Sequence, residues 1–441
     1  MFPKTAPPAQ GFVYGRPAQP AEFVNRKGDL RTIFNRLRHG ESTAVVGEPH
    51  IGKSSLLLKI IHPDTQAAYL GEDMQRVMMI LLDMHPISSS YDPATFWQEA
   101  LEPLRGRKEF QKAAQLLEQA AEAGYARRPL ERLFNHLGES RQRLVLLLDE
   151  FDCLLSHPNF QDPSFFALLR SLATRTGGLA MVTASRLSVA KMNERGCGLL
   201  ETGSPFFNNV IEIRLHPFDE ISVGHLLGAA GEMFTPEDRR FIRRVAGRHP
   251  FLLQAMAAAL AEAHGQAEDR YADAAEMFYE WISFHFDDLW RTLDDRTRTT
   301  AVILSLMELG GRSSGQRFSY GEIERVDAFG PELHKLQERG LADQVGEGWE
   351  FDWQHLLLWR GERWTVGGQA FVWWVRDVVI SGSRELPAYE EWLSNKRYRL
   401  LLTHQQWERL VNTVRNAPEW AARSVGALAR GLVEEMLRRD E

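Results

Sequence analysis

Eight consecutive residues, Gly47-Glu48-Pro49-His50-Ile51-Gly52-Lys53-Ser54, fill every fixed position of the pattern G-x-x-x-x-G-K-[ST]. The chemistry that pattern serves is the cradling of phosphate. Its glycines let the backbone turn tightly and aim N–H groups inward. Lys53 supplies a mobile cation for β- and γ-phosphate oxygens, and the Ser54 hydroxyl is a ligand for Mg²⁺. Glu48, Pro49, His50 and Ile51 form the body of the loop, and Ser55 continues the binding segment into the next element. Farther along, the apolar run Leu144–Leu148 ends in Asp149-Glu150. Asp149 would hold Mg²⁺, directly or through water. Glu150 would orient and polarise an attacking water, a role that hydrolysis needs and nucleotide binding alone does not. Taken by themselves, two acids closing a strand are explained as well by solvation. Taken with residues 47–54, they complete a site.

Such groups work only if elements of structure bring them together. Ser42–Val46 reads as a short apolar strand, and Ser54–Ile61 as the start of an amphipathic helix. The helix N-terminus adds partial positive charge where phosphate oxygens would lie. Leu144–Leu148 is apolar without alternation, which suits a strand buried on both faces of a parallel sheet. Acids at its C-terminal end fall where open α/β sheets place ligands. Val77–Asp83, Leu179–Thr183 and Val210–Arg214 are further candidate strands, alternating with helical stretches. Residues 23–215 therefore predict a three-layer α/β P-loop NTPase core with a parallel sheet. Thr183 closes one of these runs, where its hydroxyl could meet the attacking water. Arg186 has two readings: a guanidinium fork onto phosphate oxygens, or a surface cation at a strand end.

The remainder of the chain is helical first and mixed later. Residues 1–22 are rich in Pro, Ala, Gly and Gln and predict an extended leader. Residues 216–270 predict a helical lid. Within 271–366, Thr297–Leu309, Tyr320–Val326 and Pro331–Arg339 are candidate helices. Short strands are expected around Gly340–Val345, Trp349–Phe351 and Arg363–Val366, and together these make a winged-helix-like domain. Residues 367–441 predict a C-terminal helical segment, ending in a hairpin with Trp407, Leu410, Val411 and Val414 on one helix and Val425, Leu428, Leu432 and Met436 on the other.

Composition excludes little but excludes it clearly. The 441 residues exceed one ordinary core, so about two to four domains are expected. The balance of 44% apolar and 25% charged residues is that of a soluble globular protein. A net charge of −7 gives no global field for nucleic acid. The two cysteines, Cys153 and Cys197, offer neither a disulfide framework nor metal spacing. They read as packed thiols of a reducing, cytoplasmic compartment. No apolar run approaches the ~18–20 residues needed to cross a bilayer, so no membrane is expected. The fourteen histidines show no paired ligand spacing.

Three segments carry a resemblance. Phe23-Val24-Asn25-Arg26 with Asp29-Leu30 resembles the F-[IV]-G-R-E-x-E-L segment of the AAA-like and STAND-type signalling ATPases, with Asn25 standing where that family has glycine. Met181-Val182-Thr183-Ala184-Ser185-Arg186 resembles their sensor strand, and Gly247-Arg248-His249-Pro250 their lid motif. The resemblance implies that Val24, Arg26 and Pro250 border the adenine and that Arg186 reaches the γ-phosphate. It implies ATP/ADP and Mg²⁺ as cofactors, and an ATPase, slow in turnover, that works as a conformational switch. It also implies prokaryotic signalling or defence through a protein partner or effector chain, with nucleotide-dependent homo-oligomers, and a winged helix that clamps the ADP state.

A DNA-handling ATPase, with its winged helix on DNA, is the alternative. The candidate third helix, Pro331–Arg339, sets Lys335 and Arg339 against Glu332 and Glu338, so its charge is balanced where a DNA reader would carry several cations. Arg239-Arg240 and Arg243-Arg244 read as a solvated basic face. The tryptophans at 349, 353, 359, 364, 373 and 374 read as a packing surface before a base-stacking platform.

Overall fold

The apolar runs fold as one five-stranded parallel sheet, in a computed structural model that describes residues 12–197, 210–263, 267–310, 330–352, 357–381 and 424–438. Its strands are β1 (Thr43–Val46), β2 (Val77–Asp83), β3 (Arg143–Asp149), β4 (Leu179–Ser185) and β5 (Ile211–Arg214), in the order β2-β3-β4-β1-β5. Side chains along a strand alternate between faces, and here both faces are apolar. Leu144, Leu146 and Leu148 of β3 enter one core with Phe96, Trp97, Leu133, Phe134 and Leu169. Val145 and Leu147 enter a second core with Leu30, Phe34, Leu56 and Ile60. The missing alternation in the sequence thus has its cause: β3 is covered on both sides, and Leu144–Leu148 are fully buried.

Helix α1 (Lys27–Arg38) and helix α2 (Lys53–Ile61) supply the second of these layers. Both are short and amphipathic, with buried residues at the three-to-four spacing of one helical face. The Arg127–Glu139 and Pro163–Arg175 helices supply the first layer.

The chain divides into two units, Arg16–Leu215 and a second formed by Met1–Gly15 with His216–Glu441. Among its described residues, the second is helical apart from one hairpin. The Pro250–Glu262 helix starts on the predicted proline, which stands at its first position, where its missing N–H has no partner to lose. The basic face of the Pro236–Ala246 helix is paired: Arg243 bonds Glu220 at 2.7 Å and Asp343 at 3.2 Å, and Arg240 bonds Glu237 at 3.0 Å. Arg248 joins the same Asp343. Helices Asp295–Gly310 and Gly330–Glu338 lead into an antiparallel hairpin, β6 (Ala342–Asp352) and β7 (Leu357–Val366).

Two strands stand where three short ones were expected. The first two are continuous across an irregularity between Gln344 and Glu347. Trp373 and Trp374 are buried, and Trp374 stacks on Phe371, which is packing. The Val425–Arg438 helix buries Val425, Ala429, Leu432 and Val433. The candidate helix Tyr320–Val326, Trp407–Val414 of the terminal hairpin, and the side chains of Cys197 and of the tryptophans at 349, 353, 359 and 364 lie outside the described residues.

Candidate active site

The phosphate loop leaves β1 and enters α2 through two glycines that no other residue replaces freely. A Cβ on Gly47 would stand 2.8 Å from Ile51 Cγ2 and 3.2 Å from the Leu215 carbonyl. Gly52 has φ of 102°, a region L side chains rarely adopt. Between them His50, with φ of 61°, also takes the left-handed conformation. Lys53 is 4% exposed, and its ammonium donates to the carbonyls of Gly47 at 3.0 Å and Glu48 at 3.1 Å. Burial lowers its pKa, against the nearby charges of Glu150, Asp149 and Asp152, which raise it.

The acids arrive from β3. Asp149 is buried, and burial raises its pKa although hydrogen bonds from Ser54 and the Glu150 N–H oppose the rise. Asp149 at the end of β3 thus stands close enough to Ser54 at the start of α2 for the hydroxyl to act on its carboxyl. Glu150 turns the chain sharply with φ of 47°, a left-handed conformation that a glutamate adopts at a cost in strain. Burial raises the pKa of its carboxyl too. Glu150 Oε2 and Thr183 Oγ1 are both buried and have no hydrogen-bond partner. Buried polar groups nearly always have one, so two orphans among the sequence-predicted residues need an explanation.

Strand β4 makes this geometry. It lies between β1 and β3, with Ser185 in register with Val46 and Thr183 with Leu148. Its Ser185 carbonyl accepts from the Gly47 N–H at 3.3 Å, and its Ala184 carbonyl accepts from the Phe151 N–H at 2.9 Å. One strand end therefore holds both the phosphate loop and the acidic turn. Arg186, the next residue, brings Nε to 3.7 Å from Glu150 Oε2 and 3.9 Å from Asp152 Oδ2. The fold in hand is that of a P-loop NTPase.

A model of the family described as "AAA-like domain" matches residues 130–308, which take in the two acids and β4 and begin after the phosphate loop. Among curated proteins there is no significant sequence match. A Walker-type ATPase of Pyrococcus abyssi is 15% identical, with a TM-score of 0.48 over 82% of this chain and 99% of its own. The ORC2 protein of Aeropyrum pernix, solved with ADPNP and ADP, is 13% identical, with a TM-score of 0.44 over 84% of this chain and 98% of its own. Cdc6p of Pyrobaculum aerophilum is 13% identical, with a TM-score of 0.38 over 82% and 97%.

Lys53, Ser54, Asp149, Glu150, Thr183 and Arg186 lie at the C-terminal edge of the sheet in this P-loop NTPase fold. Arg26 sits behind the loop, donating to the Ile51 carbonyl at 2.9 Å, and Val24 is half-buried nearby in sequence. The Ser55 hydroxyl is already engaged: it accepts from the Ala18 N–H at 2.9 Å, and Lys59 donates to the Pro20 carbonyl at 3.0 Å. Pro250 belongs to the second unit.

Two acids escaped the sequence reading. Asp83 ends β2 in register with Asp149, which no local pattern announces. Asp152 follows Asp149 by three residues, and that spacing was open to view. Mg²⁺ is usually held by one or two carboxylates together with substrate phosphates. Ser54 and Asp149, hard oxygen donors close to one another, fit that demand. Among the described residues, no three His, Cys, Asp or Glu side chains form a cage that would hold a metal alone.

Proposed function

We propose that this chain is an Mg·ATP-binding and hydrolysing conformational switch of the STAND or AAA-like type. The observation that supports the reading is a buried Glu150 carboxylate oxygen that has no hydrogen-bond partner and feels the charge of Lys53, on the same sheet edge as a Thr183 hydroxyl that also has none. A buried acceptor with raised proton affinity at the C-terminal edge of a parallel sheet is what a water-orienting base requires. In this reading the loop N–H groups and Lys53 bind the β- and γ-phosphates. Bound Mg²⁺, held through Ser54 and Asp149, would neutralise charge on the phosphate oxygens. Glu150 orients water and takes its proton, Thr183 fixes that water, and Arg186 leaves its carboxylates for the γ-phosphate.

The lid helix beginning at Pro250 and the winged-helix-like segment would answer to nucleotide state and pass the signal to a protein partner or to further copies of the chain. The cations of the Gly330–Glu338 region favour that reading over DNA contact. Lys335 is paired with Asp294 at 2.8 Å, and Arg339 donates to Thr292 at 2.7 Å. A candidate DNA-reading helix would present such cations to phosphate instead.

The test is Glu150→Gln. The amide keeps volume but cannot take the proton, so turnover should fall about 10²–10⁴-fold while Mg·ATP affinity holds. Turnover equal to wild type would move the base elsewhere.

A further inference from the structure

Arg186 is held at both ends by one residue that the functional reading does not use. Asp152 Oδ1 accepts from the Arg186 backbone N–H at 3.4 Å, and Asp152 Oδ2 lies 3.9 Å from Arg186 Nε. The Asp152 side chain is 10% exposed, while that of Arg186 is 52% exposed. The anchoring carboxylate is thus largely enclosed, while the guanidinium it contacts is half exposed. Glu150 shares the same guanidinium, with Oε2 3.7 Å from Nε. Neither contact is a close, aligned fork, so the arginine sits between two carboxylates without being committed to either.

We infer that Asp152 is a positioning residue for the γ-phosphate-directed arginine: it docks Arg186 beside Glu150 and, by sharing the guanidinium, keeps the Glu150 carboxylate from closing on it. The inference rests on the reading of Glu150 as the water-orienting base. The two carboxylates have different tasks. Glu150 has an oxygen without a hydrogen-bond partner and sits on a strained turn. Asp152 lies at the start of the short Asp152–Ser156 helix, and the Phe151 N–H beside it is pinned to Ala184.

With Asp152 present, the backbone of residue 186 is tied to the acidic turn, and the guanidinium needs only to exchange one anion for another. With its charge removed, Glu150 is the one carboxylate among the described residues still paired with the arginine. Their pairing then competes both with water activation and with the phosphate contact. A transition-state arginine is worth about 10³–10⁵ in rate, so even partial misplacement is readable.

The experiment is a double-mutant cycle on the full chain, read as single-turnover ATP hydrolysis and ATP affinity. Asp152→Asn keeps the volume and an acceptor for the Arg186 N–H and loses only charge; Asp152→Ala loses both. Asp152→Ala should lower the rate about tenfold, within the coupling expected of one ion-pair network, with ATP affinity unchanged. Asp152→Asn should fall between it and wild type. In an Arg186→Ala background neither substitution should change the rate further.

Equal losses in both backgrounds would make Asp152 a fold residue and overturn the inference, as would a wild-type rate in Asp152→Ala. If Asp152→Ala melts early, the cycle is carried by Asp152→Asn. Glu150→Gln runs beside these variants. Wild-type turnover in Glu150→Gln sinks the base assignment, whereas a dead Glu150→Gln with additive Asp152 and Arg186 effects sinks only this inference.

Discussion

Glu150, on the turn that follows β3, and Asp238, in the Pro236–Ala246 helix of the second unit, are both acids with buried carboxylate oxygens, and they are treated in opposite ways. Asp238 is 1% exposed and complete. It accepts from the Thr235 N–H at 3.0 Å, closing a capping box, and from the Tyr271 hydroxyl at 2.8 Å, and it pairs with Arg270 at 3.3 Å. Glu150 has an oxygen with no hydrogen-bond partner, a left-handed backbone and a carboxyl that burial pushes upward. A finished acid holds architecture together. An unfinished one stores interaction for something that arrives later.

The contrast can be broken from the finished side first. Asp238→Asn should cost roughly 2–4 kcal/mol, because it unmakes a cap and strands a buried tyrosine hydroxyl and an arginine. Urea unfolding measures it, and turnover per folded molecule should be unaffected. A stability loss as large in Glu150→Gln would erase the distinction.

Next comes the energy that ligand supplies to the unfinished side. With ATP at a hundredfold over its dissociation constant, the wild type should gain about 2.7 kcal/mol of stability. Lys53→Ala should gain almost none, and an unchanged thermal shift in that variant would remove the phosphate loop from the site.

Titration sharpens the same comparison. A carboxyl whose folded-state pKa lies above its unfolded value keeps its proton longer when folded. Its contribution is therefore full below the unfolded value and is lost as pH rises through the folded one. Glu150, raised from 4.5 by burial, should make stability fall as pH climbs just above that value, and Glu150→Gln should flatten the slope.

Asp294 in the second unit is the reverse case. Burial alone would raise it, but Lys335 and two bonds from Thr297 hold it at about 2 against an ordinary 3.8. Its stabilisation is present above 3.8 and fades as pH falls toward 2, a slope that Asp294→Asn should remove. Unfolding midpoints across pH 2–7 would show whether the two slopes have opposite signs.

The smallest effect belongs to Ser55→Ala. It deletes the acceptor for the Ala18 N–H and should cost about 0.5–1.5 kcal/mol, with ATP affinity unchanged. A marked loss of affinity would return Ser55 to the phosphate side.

What could be read from the sequence was whatever is local. Residues 47–54 and 144–150 announce their chemistry because loop, strand and acids are contiguous. The five strands could be placed because an apolar run bounded by turns needs no partner to be recognised. What could not be read depends on pairing across distance. Asp83 meets Asp149 only through the β2–β3 register, and Arg243 and Arg248 meet Asp343 only when a hairpin far along the chain is folded. Arg243, with Arg239, Arg240 and Arg244, was expected to form a solvated face, and a helical wheel alone cannot say otherwise. Nor does the residue type give away the left-handed turn at Glu150, since glutamate has no preference for it.

The position of β4 also sets when this protein becomes competent during its synthesis. Thr43 of β1 pairs with Val182 and Ile211, and β1 has no other neighbours in the sheet. A nascent chain that has emerged as far as β3 can form the β2–β3 ladder, but its phosphate loop hangs from an unpaired strand. Parallel pairing over such separations is slow, and it leaves apolar strands exposed until it is done. The loop therefore takes shape among the last parts of the domain, although it is among the first made. A nucleotide bound at that loop would therefore stabilise only chains whose sheet is finished.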